Sequence, residues 1–408
     1  MPDAGPDVLV IGGGVVGLFC AYYLRLRGST VTVVEAGEVG GPRSSSSGNT
    51  GFLGTHGLST LIEPGMLGRG LRGLLDPAAP VSIRPGPDPE LLRWLWHFRR
   101  ACRDGMPPDA TRTLLAMKRR GLQAYLELSE LGGCVAQPGM IVAYREQATF
   151  RRACENTALR KLRPDELREL EPGTDFSVCG ALYHDEGAFV RVPDFITGFG
   201  RLLTGMGVSI QSGTEVTGFG TNATTIDIVR TTRGEFRPGT VVLAAGAWSA
   251  ACAGRLGLRL MVQPVRGYSI TVRAPAASPA RPVLLAEARA AVSPLGGELR
   301  FAGLLQVGAG HASARSTNGL RKLVAGYLPA LADLPAIRAW TGSRPCTPDG
   351  LPYLGFAGQF KNLFVSAGHG AIGMGLAPAT GEVAAQVIAG EPPGFGIAPF
   401  RLDRFDRS

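Results

Sequence analysis

The residues Gly12–Gly17 form a glycine pattern that can hold the phosphates of a dinucleotide. In such a pattern the backbone N–H groups and the dipole of the following helix attract a pyrophosphate. Gly14 would let the chain approach the phosphates, and Gly17 would let the helix pack on the preceding strand. Glu35 is the eighteenth residue after Gly17, where a carboxylate accepts the hydroxyls of an adenosine ribose. The spacing therefore predicts an adenosine dinucleotide, and both FAD and NAD satisfy it.

Two later glycine turns favour FAD over NAD. The run Ala245–Trp248 follows a strand-like segment, and Ser366–Gly370 lies between the strand-like Leu363–Val365 and a predicted helix. A second helix N-terminus near the end of the chain is suited to stabilise the negative charge that a reduced flavin carries near N1 and O2. Taken singly, each turn is equally typical of an ordinary strand-to-helix connection.

A strand–turn–helix–strand unit is needed to position the first motif. Apolar residues predict a strand over Asp7–Ile11, an apolar-faced helix over Leu18–Arg27 and a second strand over Val31–Glu35. The small polar residues of Gly40–Thr50 predict a loop after this unit. The predicted fold class is therefore α/β.

Elements typical of a nucleotide-binding domain recur along the chain, and a second domain with helices and strand-like runs is inserted between them. The inserted domain is expected to be α+β. The expected divisions are a discontinuous FAD-binding domain (1–85, 151–220, 240–260 and 340–408) and a substrate-binding domain (86–150 and 261–339).

The composition is that of an ordinary globular protein. Of the 408 residues, 45% are hydrophobic and 18% are charged. The seven cysteines are scattered without a Cys-x-x-Cys pair, which argues against a disulfide framework and a metal site. No secretory leader pattern and no long apolar run are visible, so a cytoplasmic location is expected. The net charge of +9 is spread along the chain, which argues against nucleic-acid binding.

Five ordered segments resemble the FAD-dependent D-amino-acid oxidase/glycine oxidase superfamily, and within it most closely the D-amino-acid dehydrogenase branch. They are Asp7–Glu35, Ser44–Gly51, Val262–Ser269, Thr341–Gly350 and Asn362–Gly381. The resemblance implies a glutathione-reductase-like, Rossmann-type FAD-binding domain with a three-layer ββα sandwich. It also implies a substrate domain on a mixed, largely antiparallel sheet, with the substrate bound between the two domains.

The resemblance further implies which residues bind FAD. They match the phosphate turn, the ribose site, the loop beside the flavin ring, the strand that meets adenine, and the two later glycine turns. The implied residues are Gly12, Gly14, Val15, Val16, Gly17, Glu35, Ala36, Ser44, Ser45, Ser47, Gly48, Asn49, Thr50, Gly51, Val216, Ala245, Gly246, Trp248, Gly370, Ile372, Gly373 and Met374.

Three residues are candidates for catalytic roles. Arg344 matches the arginine that clamps the substrate carboxylate in relatives, and a guanidinium offers two parallel donors for that purpose. The alternative is an arginine that caps the neighbouring loop. Tyr268 could face the same carboxylate or pack in a sheet core, and His369 could line the pocket or brace its turn.

Some relatives attach flavin covalently through His or Cys, so His56 and Cys346 need separate consideration. The attachment cysteine of sarcosine oxidases precedes the Thr347–Asp349 equivalent by several residues, where this chain has Gly342. A lone histidine such as His56 is more often structural. Non-covalent FAD is therefore expected.

The implied activity is oxidative deamination of a small amino acid, with a D-amino acid favoured. Hydride transfer from Cα of the neutral amine to flavin N5 would give an imine, which water hydrolyses to a 2-oxo acid and ammonia; this needs no side-chain base. The alternatives are oxidation of a secondary amino acid such as sarcosine, proline or hydroxyproline, an amine-oxidising tailoring enzyme, and a flavin-binding protein without turnover. The electron acceptor is O2 or a quinone.

One segment raises the question of a membrane contact. Leu91–Arg100 mixes tryptophans with arginines, as an interfacial membrane helix would. The alternative, a helix that packs on the substrate domain, is preferred. A peripheral contact with the inner face of the membrane stays open.

Overall fold

The computed structural model describes residues 5–55, 61–76, 79–129, 134–155, 157–308 and 314–406. The helices within these ranges are α1 Val15–Leu26, α2 Met66–Arg72, α3 Pro89–Asp104, α4 Pro108–Glu127, α5 Gln147–Glu155, α6 Pro164–Leu170, α7 Val192–Gly205, α8 Ser249–Gly254, α9 Ala314–Ala325 and α10 Gly373–Ile388.

The strands of the described residues are numbered in chain order. They are β1 Val8–Ile11, β2 Val31–Glu35, β3 Phe52–Leu53, β4 Val81–Arg84, β5 Val135–Ala136, β6 Met140–Tyr144, β7 Arg160–Leu162, β8 Gly180–His184, β9 Ala188–Val190, β10 Ser209–Ser212, β11 Val216–Asn222, β12 Thr225–Thr231, β13 Gly234–Phe236, β14 Thr240–Leu243, β15 Gln263–Arg273, β16 Val283–Leu285, β17 Ala290–Pro294, β18 Glu298–Gly308, β19 Ala336–Cys346, β20 Tyr353–Phe356 and β21 Leu363–Ala367.

Six of the described strands form a sheet in the order β10-β2-β1-β14-β21-β20. Neighbours pair in parallel except β20, which is antiparallel to β21. Strands β1 and β2 flank the glycine turn and α1, as the sequence predicts. Because the parallel strands share one direction, their carboxyl ends meet at one edge of the sheet.

Both faces of this sheet are buried. On β1, Val8 and Val10 pack into a core that contains α1, α7 and α10. Leu9 and Ile11 point the other way, into a core shared with the antiparallel strands β11–β13. Successive strand residues face opposite sides, so an unbroken apolar run fits a sheet covered on both faces. This arrangement is the three-layer ββα sandwich that the sequence predicts.

A second sheet carries the other half of the fold. It has nine described strands, with the order β19-β15-β18-β17-β16-β6-β8-β7 and β4 paired to β18. Most pairs are antiparallel, and the pairs β16–β6 and β18–β4 are parallel. The expected mixed, largely antiparallel sheet is confirmed. A further small sheet has three described strands in the order β3-β9-β5.

Three segments join a different sheet or core from the one that the predicted domain division gives them. Strand β4 lies within 1–85, yet it pairs with β18. Strands β7 and β8 lie within 151–220, yet they belong to the nine-stranded sheet. Helix α4 lies within 86–150, yet its apolar face joins the core of α1 and α10. The division into two domains stays a prediction. Strand pairing and core packing place these three segments differently, because the chain crosses between the two sheets more often than composition indicates.

Candidate active site

A large cleft lies at the carboxyl ends of the parallel strands, where open α/β sheets bind ligands. It lies between the six-stranded sheet and β19 and spans about 1350 Å³, a volume that includes space open to solvent. Most residues proposed to bind FAD line it together with two of the catalytic candidates: Gly12, Gly14, Val15, Val16, Glu35, Ala36, Ser44, Ser45, Asn49, Val216, Ala245, Gly246, Trp248, Arg344, His369, Gly370, Gly373 and Met374.

The glycine turn opens the cleft at the start of α1. Gly12 has a φ of 113°, a conformation that residues with a Cβ rarely adopt, and its N–H donates to the Val34 carbonyl at 2.9 Å. Gly17 does not line the cleft and instead lets α1 pack closely on the turn, since a Cβ there would overlap the carbonyl oxygen of Gly12. Gly14 caps α1 without a side-chain hydrogen bond, and it lines the cleft together with Val15 and Val16, so the N-terminal end of the helix faces the cleft. These features fit a pyrophosphate.

The carboxylate of Glu35 is held at the end of β2. One oxygen accepts the N–H of Gly13 at 2.7 Å, and the other accepts the N–H of Gly37 at 2.9 Å. An ionised carboxylate has about four acceptor sites, so two remain for ribose hydroxyls. Further along the cleft, Val216 lies at the start of β11, and its carbonyl accepts from the Arg255 guanidinium at 2.6 Å. Trp248 forms part of this wall and keeps 47% of its surface exposed.

A second helix N-terminus meets the cleft at its other end. Gly370 and Gly373 line the cleft where α10 begins, and the Gly370 N–H donates to the Pro345 carbonyl at 2.8 Å. Ile372 precedes α10 and lies on the far side of this turn, away from the cleft. The positive end of the α10 dipole is thus available to a negative group in the cleft.

The serine-rich loop between β2 and β3 reaches the cleft through Ser44, Ser45 and Asn49. Ser46, which the sequence did not single out, also lines the cleft, and its Oγ accepts the Val15 N–H at 3.3 Å. It belongs to the same serine run, which was the available signal.

Four predicted residues of this loop support it without lining the cleft. The Ser47 hydroxyl donates to the Gly40 and Gly41 carbonyls at 2.7 and 2.9 Å. Thr50 is buried, and Gly51 has a φ of 74° and lies against the Val190 carbonyl. Gly48 packs on an indole of the second sheet.

The indole that packs on Gly48 belongs to Trp340 of β19. Its ring lies against Gly48 and Gly342, and a Cβ on either glycine would overlap it. The indole N–H donates to the Pro42 carbonyl at 2.8 Å. Sequence reasoning missed this contact, because the partners are nearly 300 residues apart in the chain.

Arg300 of β18 makes the second attachment of the loop. Its Nη1 donates to the Ser47 carbonyl at 2.7 Å and to the Asn49 carbonyl at 2.9 Å. The side chain is buried, and burial lowers the pKa of its guanidinium to about 10. The guanidinium therefore stays charged at neutral pH and holds two carbonyls of the cleft loop. Its only sequence signal was an arginine inside an apolar strand.

Arg344 lies on β19, opposite Val265 of β15; its side chain is half-buried, and its Nη1 atom is inaccessible to solvent. Its guanidinium packs against Gly267, where a Cβ would overlap it. Burial lowers the pKa of the guanidinium, and Nη1 has no hydrogen-bond partner among the described residues. A buried donor without a partner costs about 1–3 kcal/mol, and more when charged. An anionic ligand would remove that cost.

Arg344 also lines a smaller pocket, here named the side pocket. It adjoins the cleft at Gly368–Gly370, and its walls include Trp94, Arg289 and Leu305. The arginine therefore stands at the junction of both spaces.

His369 lines both spaces, but its ring is engaged. Its Nε2 lies 3.1 Å from Thr380 Oγ1 of α10, and burial lowers the pKa of the imidazole to about 4. The ring is thus neutral at neutral pH and contacts α10, which favours a role in bracing the turn.

Tyr268 does not reach Arg344. Its side chain packs in the core beneath α9, and its hydroxyl donates to Gln306 Oε1 at 3.0 Å. Gly267, its neighbour, carries the Arg344 contact, so Tyr268 faces the opposite side of the sheet. The expectation that its phenol faces the substrate carboxylate is corrected to a sheet aromatic.

The two candidates for covalent attachment differ in what the structure shows. Cys346 is buried, and burial raises the pKa of its thiol to about 12, so it remains protonated. It lines the side pocket rather than the cleft. His56 lies outside the described residues.

The cleft has the features that FAD requires: two helix N-termini, a carboxylate at the end of β2, and a long channel between them. A family model described as FAD dependent oxidoreductase matches residues 7–387. The chain belongs to this FAD-dependent oxidoreductase family. The protein is therefore an oxidoreductase whose cofactor is FAD. The residues that line the cleft are those that would hold the cofactor.

Curated relatives of this oxidoreductase span nearly its whole length. A D-amino acid dehydrogenase from Rhizorhabdus wittichii is 29% identical, with 98% of this chain and all of the relative covered. D-amino acid dehydrogenase 2 from Pseudomonas aeruginosa is 32% identical, with 95% of each covered. A D-amino-acid oxidase from Bradyrhizobium diazoefficiens is 28% identical, with 99% of this chain and all of the relative covered.

Solved structures agree with the family assignment. Glycine oxidase from Geobacillus kaustophilus superposes with a TM-score of 0.77 at 25% identity, with 98% of each chain covered. L-proline dehydrogenase from P. horikoshii superposes with a TM-score of 0.72 at 21% identity, with 100% of this chain and 99% of that chain covered. This likeness supports the assignment of the fold. No helix in the described ranges is long and apolar enough to cross a membrane.

Proposed function

We propose that this oxidoreductase deaminates a small amino acid oxidatively, with a D-amino acid favoured. The observation that carries the proposal is the Arg344 guanidinium at the junction of the cleft and the side pocket, whose buried Nη1 has no hydrogen-bond partner among the described residues. An amino acid brings a carboxylate that could pair with it, whereas a simple amine does not. The names of the curated relatives support the same substrate class.

Arg344 would bind the carboxylate through two N–H donors and so fix the orientation of Cα. The α10 N-terminus would favour negative charge in the cleft next to that position. Bound FAD would accept a hydride from Cα. The neutral ring of His369 is engaged with Thr380, so no side-chain base is assigned to it.

We further propose that the protein is cytoplasmic and uses a quinone-type acceptor in preference to O2. The choice of acceptor is supported by the name dehydrogenase, which the relatives from Rhizorhabdus wittichii and Pseudomonas aeruginosa carry, although the relative from Bradyrhizobium diazoefficiens is named an oxidase. Reoxidation of the reduced flavin by O2 and by a soluble quinone, measured at equal concentrations, distinguishes the two. Faster reoxidation by O2 would contradict this choice.

The substrate class is tested by anaerobic bleaching of the bound flavin. We expect D-amino acids to bleach it faster than their L-enantiomers and faster than sarcosine or proline. Bleaching by secondary amines alone would replace the proposal with a secondary amino-acid dehydrogenase. No bleaching by any amino acid would remove amino-acid oxidation as the function.

A further inference from the structure

The walls of the side pocket are mainly apolar. Trp94 and Phe98 project from the inner face of α3 with their rings stacked at 5.0 Å between centroids. The Trp94 N–H donates to the Cys346 carbonyl at 3.0 Å, so its polar atom is already satisfied within the protein. What these residues present to the pocket is hydrocarbon.

Leu305 completes the pocket because the backbone of β18 is irregular there. The pairing of β15 with β18 shifts register between Gly303 and Gln306, so Leu304 and Leu305 together stand opposite the single residue Gly267 of β15 in a bulge. Leu304 has a φ of 52°, in the left-handed region that is unfavourable for a residue with a Cβ. Leu304 packs in the core, and Leu305 faces the side pocket. Bulges of this kind redirect side chains next to active sites.

A charged pair stands at the rim of the pocket. Arg289, with a φ of 46°, also has a left-handed backbone, and its guanidinium forms an ion pair with Glu63. Glu63 pairs in addition with Arg69 at 3.0 Å. An acidic substrate side chain would compete with Glu63 for Arg289, and a basic one would be repelled by Arg289.

Apart from Arg289 and Arg344, the titratable groups of the described pocket wall are uncharged at neutral pH. His369 is neutral because burial lowers its pKa, and the Cys346 thiol is protonated because burial raises its pKa. Arg344 is therefore the cation left for an incoming anion, and one carboxylate is enough to balance it. A second negative charge on the substrate would have to displace Glu63 from Arg289, and a positive charge meets no carboxylate among the described wall residues.

We propose that the side pocket receives the substrate's side chain, selects amino acids whose side chains are uncharged and apolar, and uses Leu305 to set the size limit. The inference rests on the proposed function, in which the carboxylate lies on Arg344. Because Arg344 borders both spaces, a substrate held there would place its Cα at the cleft and its side chain in the pocket.

The charge selectivity is tested on the wild-type holoenzyme with side chains of similar length. Anaerobic flavin reduction is measured with methionine, glutamate and lysine of the reacting enantiomer. We expect the efficiency with methionine to exceed that with either charged amino acid by tenfold or more. Equal or faster reduction by glutamate or lysine would overturn the inference.

The size limit is tested with Leu305→Phe and Leu305→Ala, and alanine and leucine serve as substrates. In Leu305→Phe the efficiency ratio of leucine to alanine should fall about tenfold, since a pocket discriminates by roughly this factor per missing or extra methylene group. In Leu305→Ala the ratio should rise. Leu284→Ala and Leu284→Phe are matched controls, because Leu284 is half-buried in the same sheet and lines neither space.

Unchanged ratios in flavin-loaded Leu305 variants would overturn the size limit and leave the proposed function intact. Failure of every amino acid to reduce the wild-type flavin would instead overturn the proposed function. The two failures are therefore distinguishable.

Discussion

At the scale of single residues, burial keeps His369 in one protonation state. Its pKa is lowered to about 4, whereas an unfolded chain titrates histidine near 6.5. Between these values the unfolded state holds a proton that the folded state lacks, so stability is lost as the pH falls from about 6.5 to about 4. The loss from this group is about 3 kcal/mol at most.

The His369→Asn variant removes that titration. We expect its free energy of unfolding, from urea denaturation of the flavin-loaded protein, to fall less between pH 7 and pH 4.5 than that of the wild type. Parallel pH profiles for the two proteins would show that the imidazole is not held neutral, and its assignment as a turn brace would then fail.

Individual residues also show why the local sequence was enough for the glycine turn and Glu35 but not for Tyr268. The glycine turn and Glu35 belong to one continuous strand–turn–helix–strand unit, so their local spacing was enough to place them together at the cleft. Tyr268 depended on which side of β15 it faces, and one residue of register reverses that. Its neighbour Gly267 takes the position beside Arg344, which no local pattern indicates.

At the scale of elements, the cleft loop depends on the second sheet for its position. Arg300 binds the Ser47 and Asn49 carbonyls, and Trp340 binds the Pro42 carbonyl. We expect Arg300→Met to weaken FAD binding by about 1–3 kcal/mol, because two carbonyls lose a charged donor. Titration of FAD into the apoprotein, followed by flavin fluorescence, measures the change.

Arg338→Met is the matched control for this prediction. Arg338 lies two strands away in the same sheet, is exposed, and pairs with Glu298 instead of the loop. Its removal should leave FAD affinity unchanged. Equal affinity of the Arg300 variant and the wild type would show that the loop keeps its position without this arginine. Sequence reasoning could not find such a contact, because it joins elements about 250 residues apart.

At the scale of the whole molecule, one surface combines exposed apolar side chains with arginines. Leu92 and Trp96 are about half-exposed on the outer face of α3. Arg100 lies over the Trp96 ring at 5.1 Å. Such a surface can bind an anionic lipid face, and salt screens that attraction. The inner face of the same helix contributes Trp94 to the side pocket.

We expect salt-sensitive co-sedimentation with liposomes that contain anionic lipid, and a loss of binding in Trp96→Ser. Phe356→Ser is the control, because Phe356 is an exposed aromatic residue on β20 of the six-stranded sheet, away from α3 in the chain. No binding at low salt, or equal losses in both variants, would retire the peripheral membrane contact.

We propose that Arg344 holds the carboxylate of an amino-acid substrate, and the reductive half-reaction of the Arg344→Lys variant is the direct test of that role. Lysine keeps the charge but loses the planar pair of donors. Losing a charge-assisted bond costs about 1.5–3 kcal/mol, so the efficiency of flavin reduction by the amino acid should fall by about ten- to a hundredfold or more. Flavin content should stay normal, and the matched amine without a carboxylate should react about equally with both proteins. Loss of flavin, or equal slowing of both substrates, would contradict the claim and assign Arg344 to the fold or the cofactor.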